Sequence, residues 1–516
     1  MRRDSENESQ PHVNRRAFFL GGAGVTALLG VPTHARMADA PTADPSTRLK
    51  DQTERALQWA GSNPPDWVRA RPGVDHNVVI VGGGQSGTSI AYALRRRGVG
   101  RVTIIDRAEP GNAGIWRNIA RMHTLRTPKW LPGPEQGNPD LSFRAWYETL
   151  HGAAAYDGLG RIPRTAWANY LAWFEQVTNA NVRYGTRLVD VEPQGDVLHL
   201  QLESGGARRI ETTRKLVLAS GFAGAGGANV PELVRALPER VWSHTHVPFP
   251  YETLAGKVVA VIGTGASAFD AAAISLELGA AQVHMYSRRS YIDYPVPGPS
   301  EQPDLGHANV VELAGELPDV VRWRNERMID GRAASTPLDS IRRAVALKNF
   351  HIHLSSEWTA ASYSGHKVVA KIAGHSQRFD HVIAATGYRV DLAAQPELAR
   401  IHEFIALWRH RFQPPAGEED ANASRYPYLG SGFEFQPRQE SGANFLRHIH
   451  CFNLAASVSF GTHVGNVPSC VYHPHLAAAI ARALFVEDVD IAANERYVKT
   501  PVAPPDPAPY QSAVAI

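Results

Sequence analysis

Cysteine is almost absent from this sequence. Only Cys451 and Cys470 occur among 516 residues, which excludes a disulfide framework and argues against a cysteine-rich metal site. Isolated cysteines are commonly buried, so we expect two free thiols in the core, with a single bridge between them as the alternative. His473 and His475 have no carboxylate neighbour, and we predict no metal site there.

Net charge and long apolar runs are also scarce. The formal net charge is +3, and no run of Lys and Arg alternates with aromatic residues, so nucleic-acid binding is not expected. No segment reaches the roughly 18 consecutive apolar residues of a transmembrane helix, so no stable membrane span is expected either. The 43% apolar fraction is typical of a globular protein with two or three domains.

The N-terminal region has the pattern of an export signal. The run NRRAFFL, which begins at Asn14, resembles the twin-arginine motif and leads into a short apolar stretch over residues 17–31. Ala38-Asp39-Ala40 is a small-x-small cleavage pattern. We therefore predict a signal peptide over residues 1–40 and a periplasmic or exported protein. A basic tail on a cytoplasmic protein is the alternative.

The first motif that carries chemistry is Gly82-Gly83-Gly84-Gln85-Ser86-Gly87, between a strand-like apolar run and an amphipathic segment. Its glycines permit a tight turn, a close approach of the main chain to pyrophosphate, and tight packing of helix on strand. The helix N-terminus offers free N–H groups to phosphates. A second apolar run ends in Asp106, about 20 residues beyond the turn, where a carboxylate binds ribose hydroxyls and repels a 2′-phosphate. This turn predicts FAD or NAD.

A second motif, Gly263-Thr264-Gly265-Ala266-Ser267-Ala268, repeats the arrangement with alanine in place of the third glycine. Here the following strand-like run ends in Ser287-Arg288-Arg289. Two guanidinium groups in the place of the acid would bind a 2′-phosphate, which selects NADPH over NADH. A solvated pair of arginines on a surface loop is the alternative. Two turns with opposite charge predict two different dinucleotides.

These motifs predict an α/β fold of two Rossmann-like dinucleotide-binding domains, with the NADPH domain inserted in the FAD domain. The apolar runs between them predict a small antiparallel meander within residues 182–220 and a final helix over residues 474–484. The predicted segments are a signal peptide over residues 1–40, a helix and linker over 41–74, the FAD domain over 75–224 and 377–490, the NADPH domain over 225–376, and a disordered tail over 491–516.

Further motifs resemble the class B flavoprotein monooxygenases, the family of the flavin-containing and N-hydroxylating monooxygenases. They are Gly114-Ile115-Trp116, Ala219-Ser220-Gly221 and Ala385-Thr386-Gly387-Tyr388, the last two being the crossovers between the domains in that family. The resemblance covers residues 75–485 and implies FAD at the first turn and NADPH at the second. It also places Asn466 at the start of a helix directed at the flavin.

The sequence departs from the pattern of this family at two places. The family's Phe-x-Gly-x-x-x-His fingerprint is represented only by histidines, His244 and His246 among them, and residues 124–129 lack the asparagine of many relatives. Arg126 and Lys129 in that segment are candidates for phosphate or substrate contact, with plain surface charge as the alternative. The predicted cofactor-binding residues are Gly82, Gly84, Gln85, Ser86, Gly87, Asp106, Arg107, Ile115, Trp116, Thr124, Gly263, Gly265, Ala266, Ser267, Ala268, Arg288, Arg289, Thr386, Gly387 and Asn466.

By this resemblance the protein is an NADPH-consuming FAD monooxygenase that acts on a small molecule and O₂ through a flavin C4a-hydroperoxide, with no catalytic residue assigned. N-hydroxylation of an amine or amino acid is the favoured reaction. Ring hydroxylation of a purine or aromatic, an FAD oxidase that forms H₂O₂, and a non-catalytic redox sensor are the alternatives. A disulfide reductase is excluded because no Cys-x₄-Cys pair follows the first turn. A homo-oligomer is possible.

Overall fold

Two mainly parallel sheets, each with a glycine turn at the end of its first βα unit, organise the chain in a computed structural model. The structure describes residues 44–61, 63–294, 314–325, 336–439 and 442–514. The predicted signal peptide lies outside these residues. From Pro45 onward the described chain forms one compact unit. Among the described residues, no helix combines the length and the apolar character needed to cross a membrane.

The first sheet has the order β3-β2-β1-β6-β5-β4, and β15 also pairs with β6. Its strands are β1 His76–Val81, β2 Val102–Ile105, β3 Val182–Arg183, β4 Thr186–Gln194, β5 Val197–Ser204, β6 Ala207–Gly221 and β15 Ile449–Asn453. The long strand β6 pairs antiparallel with β5 in its first half and parallel with β1 and β15 in its second. The predicted meander is therefore confirmed, and it leads into the centre of the sheet.

The apolar run of β1 explains its central position. Val78, Val79 and Ile80 are fully buried, because a strand of a parallel sheet is covered on both faces. The register aligns Val79 with Leu216 of β6 and with Thr103 of β2.

The second sheet is entirely parallel, with the order β10-β9-β8-β14-β7. Its strands are β7 Trp242–His244, β8 Val258–Ile262, β9 Gln282–Tyr286, β10 Phe350–His353 and β14 His381–Ala384. An antiparallel meander adjoins it, formed by β11 Trp358–Ser364, β12 Lys367–Ile372 and β13 His375–Phe379. This meander was not predicted from the sequence.

The insertion of one domain in the other is confirmed, but the return to the first domain differs from the predicted boundary at residue 377. The chain leaves the first sheet after Gly221 and returns after β14, which pairs with β7 and β8. The return therefore lies beyond Ala384 and not at residue 377, because the buried strand β14 completes the second sheet. We call the parts built on the two sheets the first and second domains.

Helices cover the faces of both sheets. The main ones are α1 Pro45–Trp59, α2 Gln85–Arg96, α3 Phe143–His151, α4 Ala153–Asp157, α5 Arg164–Val177, α6 Glu232–Arg235, α7 Ala266–Glu277, α8 Leu338–Val345, α9 Trp408–Arg411, α10 Ser457–Phe460, α11 His473–Glu487 and α12 Ile491–Lys499. Helix α11 packs on α2, and α8 packs on α7.

The ends of the chain agree only in part with the predictions. The helix expected near residues 47–60 is α1, and the expected final helix is α11. The predicted disordered tail over residues 491–516 begins instead with the helix α12. Asp490 caps this helix, because its carboxylate accepts the N–H of Ala493 at 2.8 Å. Both cysteines are buried and free, as predicted.

Candidate active site

A single large cavity joins the two glycine turns. It has a volume of about 1870 Å³ and is lined by residues of both domains and of both crossovers between them. The carboxyl ends of β1 and β8 both open into it, which is where parallel α/β sheets bind their ligands.

The structure brings most of the predicted cofactor-binding residues to this cavity. Those that line it are Gly82, Gly84, Gln85, Ser86, Asp106, Arg107, Ile115, Trp116, Gly263, Gly265, Ala266, Ser267, Arg288, Arg289, Thr386, Gly387 and Asn466. Gly87 and Ala268 are buried behind the turns, where they let helix and strand pack closely, as their motif positions predict. Thr124 is not among the lining residues; it pairs with Pro163 in an isolated bridge.

The first turn depends on glycine at two positions. Gly82 has φ +114°, and a Cβ on Gly87 would lie only 1.8 Å from the carbonyl oxygen of Gly82. Gly84 is the N-cap of α2 and leaves the first N–H groups of that helix without a side-chain cap. These groups face the cavity, which fits the binding of a pyrophosphate.

Asp106 completes the first site. One of its carboxylate oxygens accepts the N–H of Gly83 at 2.7 Å, and the other accepts the N–H of Ala108 at 2.7 Å. Each oxygen retains a lone pair, so the carboxylate can still accept bonds from ribose hydroxyls. The uncapped helix and the anchored carboxylate together fit FAD.

The second turn repeats this geometry with the opposite charge. Gly263 has φ +112°, and Gly265 is an uncapped N-cap that faces open space. The side chains of Arg288 and Arg289 are exposed at the cavity, and neither has an ion pair within the described chain. Two unpaired guanidinium groups fit the 2′-phosphate of NADPH.

Gln85 ties the first turn to the C-terminal segment. Its side-chain oxygen accepts the N–H of Trp167 at 3.1 Å, and its nitrogen lies 3.2 Å from Cys470 Sγ and 3.3 Å from the carbonyl oxygen of Asn466. The Asn466 side chain accepts the N–H of Ser469 at 3.0 Å, just before the chain enters α11. The predicted helix start at this wall of the cavity is therefore present.

An aromatic wall lies where the two crossovers meet. Phe222 packs edge-to-face on Tyr388 with 5.6 Å between ring centroids, and His246 packs on Tyr388 at 5.2 Å. Burial lowers the pKa of His246, and it lowers the pKa of the neighbouring His244 to about 4. Both imidazoles are therefore neutral near pH 7, and this wall offers flat, uncharged surface.

The two basic candidates of the segment 124–129 have different surroundings. Lys129 donates to the main-chain oxygens of Tyr156 and Asp157 and lies over the Tyr156 ring, outside the cavity lining. It has a structural role. Arg126 does line the cavity, and its Nη2 donates to Asp270 at 2.7 Å.

Sequence reasoning missed Asp270 and Phe222. Asp270 is buried on α7 of the second domain, although its partner Arg126 belongs to the first domain, 144 residues earlier. A buried charge on an otherwise apolar helix face was the available signal for Asp270. Phe222 follows the crossover motif directly, and its place beside Tyr388 depends on the return of the chain.

Comparisons with known proteins agree with this geometry. An FAD-NAD(P)-binding family model matches residues 79–223, and the L-lysine 6-monooxygenase/L-ornithine 5-monooxygenase model matches residues 157–294. An FAD-dependent urate hydroxylase from Xanthomonas campestris is 37% identical over 448 residues, which are 86% of this chain and 93% of the relative.

Solved structures share the fold at low identity. Ornithine hydroxylase from Pseudomonas aeruginosa has a TM-score of 0.61 and 18% identity, over 80% of this chain and 99% of that one. L-lysine 6-monooxygenase from Pseudomonas syringae has a TM-score of 0.61 and 17% identity, over 80% and 100%. The urate hydroxylase, with its much higher identity over nearly its full length, shows the family. The chain belongs to the FAD-dependent monooxygenases and is an oxidoreductase that uses FAD and NADPH.

Proposed function

We propose that this monooxygenase hydroxylates the ring of an oxidised purine, with urate as the first candidate. The observation that carries the proposal is the 37% identity to a urate hydroxylase over 93% of its length. Solved structures of ornithine, lysine and cadaverine monooxygenases share the fold at 14–19% identity. We therefore favour ring hydroxylation of a purine over the N-hydroxylation of an amine or amino acid that the sequence alone favoured.

The cavity supports a flat, electron-rich substrate. Phe222, Tyr388 and the neutral His246 form an uncharged aromatic wall, against which a purine ring can stack. The lysine/ornithine family match covers the whole second glycine turn but only part of the proposed substrate site: it includes Phe222 and His246 and leaves out Tyr388. That match therefore supports shared cofactor use more directly than a shared substrate.

The proposed reaction needs no nucleophile from the protein. Urate, O₂, NADPH and a proton give a product with one more oxygen atom, NADP⁺ and water. The bound flavin supplies the oxygen-activating chemistry. The chain's own residues would hold the two dinucleotides at their glycine turns, orient the purine at the aromatic wall and exclude water from the cavity.

The test is NADPH oxidation by the purified flavoprotein with urate and other purines, and in parallel with ornithine, lysine and simple amines. We expect oxidation that depends on a purine and a product that carries one atom of isotopically labelled O₂. A hydroxylated amine without a hydroxylated purine would contradict the proposal and restore N-hydroxylation. Stoichiometric H₂O₂ without any hydroxylated product would favour the oxidase alternative.

We also propose export through the twin-arginine route, on the strength of the NRRAFFL run and the Ala38-Asp39-Ala40 pattern. This route carries folded proteins, which suits a chain that must take up its flavin before export. N-terminal sequencing of the protein from separated cell fractions should find a start after Ala40 outside the cytoplasm. A variant with Arg15→Lys and Arg16→Lys should remain uncleaved in the cytoplasm, and export of that variant would contradict the proposal.

A further inference from the structure

We propose that Arg126 anchors the substrate by donating a hydrogen bond to a carbonyl oxygen of an anionic purine, and that Asp270 of the second domain is the positioning residue of Arg126. This inference rests on the proposed function and assigns the recognition of its substrate class. It starts from a donor at the cavity that the polypeptide leaves without an acceptor.

The main chain fixes Arg126 at the cavity. The N–H of the buried Leu125 donates to the carbonyl oxygen of Ile162 at 2.8 Å, and the carbonyl oxygen of Arg126 accepts from the guanidinium of Arg161. The main chain at Leu125 and Arg126 is thus bound to Arg161 and Ile162. The side chain of Arg126 points across the domain boundary to Asp270. It is 35% exposed, at the cavity.

Asp270 holds the guanidinium in one orientation. Its Oδ2 accepts Arg126 Nη2 at 2.7 Å, and its Oδ1 accepts the hydroxyl of Ser340 at 2.9 Å. The Asp270 side chain is only 4% exposed, and Arg343 lies 3.7 Å away as a second cation. A carboxylate with this burial and these partners has little rotational freedom. The Arg126 guanidinium is therefore held in one orientation before any ligand binds.

The exposed part of the Arg126 guanidinium points to a ligand. Only Nη2 donates a hydrogen bond to a described residue, so Nη1 has no acceptor from the described chain, and the side chain is 35% exposed at the cavity. Nε, by contrast, is buried and out of reach of a bound molecule. A molecule in the cavity would supply the acceptor for Nη1. Urate presents carbonyl oxygens and negative charge on a planar ring, which match a guanidinium edge that is already fixed on its other side.

The surroundings favour a substrate contact over a phosphate contact of NADPH. Asp270 lies five residues after the N-cap Gly265, or about 7 Å along α7 from the end that receives phosphate. Arg126 and Tyr388 of the aromatic wall both line the cavity, and the charge of Arg126 opposes the rise that burial causes in the pKa of the Tyr388 phenol. The proposed anchor therefore shares the cavity with the place proposed for the ring.

The test compares Arg126→Gln and Asp270→Asn with Lys129→Gln. Lys129 is a nearby cation of the same segment that contacts only main-chain oxygens and one tyrosine ring, outside the cavity. Two quantities are measured on each flavin-loaded protein. One is the rate at which NADPH reduces the flavin without substrate, and the other is the KM for urate with the yield of hydroxylated product per NADPH.

We expect Arg126→Gln to raise the KM for urate about 10- to 100-fold and to lower the product yield, because a charge-assisted hydrogen bond is lost. Flavin reduction should stay within about twofold of the wild type, and Asp270→Asn should show the same KM effect in weaker form. Lys129→Gln should leave both quantities unchanged. Arg126→Lys serves as the folding-safe variant and should also raise the KM, since one ammonium group cannot reproduce the fork.

Three results would overturn the inference. An unchanged KM for urate in Arg126→Gln or Arg126→Lys would refute the substrate contact of Arg126 and leave the proposed function standing. A slower flavin reduction with an unchanged urate KM assigns Arg126 to NADPH instead. If the wild type hydroxylates no purine, the proposed function fails, and the purine anchor fails with it.

Discussion

Replacing Arg288 and Arg289 together by glutamine should remove the preference of this enzyme for NADPH over NADH. Both side chains are exposed at the cavity and have no ion pair within the described chain, so their removal leaves no buried carboxylate unpaired. The variant should therefore fold normally. Each arginine would lose one charge-assisted bond to the 2′-phosphate, which is worth about 1.5 kcal/mol at an exposed position, the low end of the usual range. Two such bonds amount to about 3 kcal/mol, or a change of roughly 100-fold.

The assay is rapid mixing of the oxidised flavoprotein with NADPH or NADH, with flavin bleaching followed over a range of nicotinamide concentrations. The loss should appear in the apparent affinity for NADPH and leave NADH almost unaffected. In the wild type, added salt should weaken the NADPH preference, because exposed charges are screened. Arg342→Gln is the matched control, since Arg342 is an exposed arginine of α8 outside the cavity lining. A double variant that keeps the wild-type ratio, or that loses both nucleotides equally, would refute this assignment of the two arginines.

Three further substitutions test the two turns and the first sheet. Gly87→Ala puts a Cβ 1.8 Å from the carbonyl oxygen of Gly82 and should yield protein that purifies without flavin, as its absorption spectrum will show. Gly263→Ala combines φ +112° with a Cβ 2.3 Å from a carbonyl oxygen of the return crossover, so it should retain flavin but be reduced by NADPH at least about 10-fold more slowly in rapid mixing. Hydrogen bonds from Arg183 lower the pKa of Glu211 from 4.5 to about 2, so the stability it contributes is present above pH 4.5 and is lost as the pH falls towards 2. Glu211→Gln should cost about 2 kcal/mol in urea unfolding near pH 7 and almost nothing near pH 2, and an equal cost at both would contradict the linkage.

The nucleotide-binding framework could be predicted because its signals are local. A buried strand, a glycine turn and a distal charge lie within about 30 residues of chain, and geometry dictates each residue type at its place. The structure places the predicted residues of both turns at or behind one cavity. Even so, the predicted boundary at residue 377 differs from the structure, because β14 is short and its sheet partners β7 and β8 lie more than 100 residues earlier.

Thr124 and Lys129 show where local reasoning stops. Both were candidates because they lie in a segment that faces the active site in similar proteins, but only the residues between them, 125–128, line the cavity. The difference comes from long-range partners: Pro163 pairs with Thr124, and the end of α4 accepts the Lys129 ammonium. Nothing within a few residues of either position indicates these contacts.

The separation of cofactor and substrate determinants explains why the reaction was harder to predict than the cofactors. FAD and NADPH are each matched by one continuous motif, whereas the proposed purine site is assembled from Arg126, Asp270 and Tyr388, which come from both domains and a crossover. Such a site can change through single substitutions that leave both glycine turns intact. The ornithine and lysine hydroxylases, which share this fold at under 20% identity to this chain, and the urate hydroxylase differ in substrate by name. Variants of Arg126 and its partners therefore test the proposed substrate, whereas variants of the glycine turns test only the cofactors.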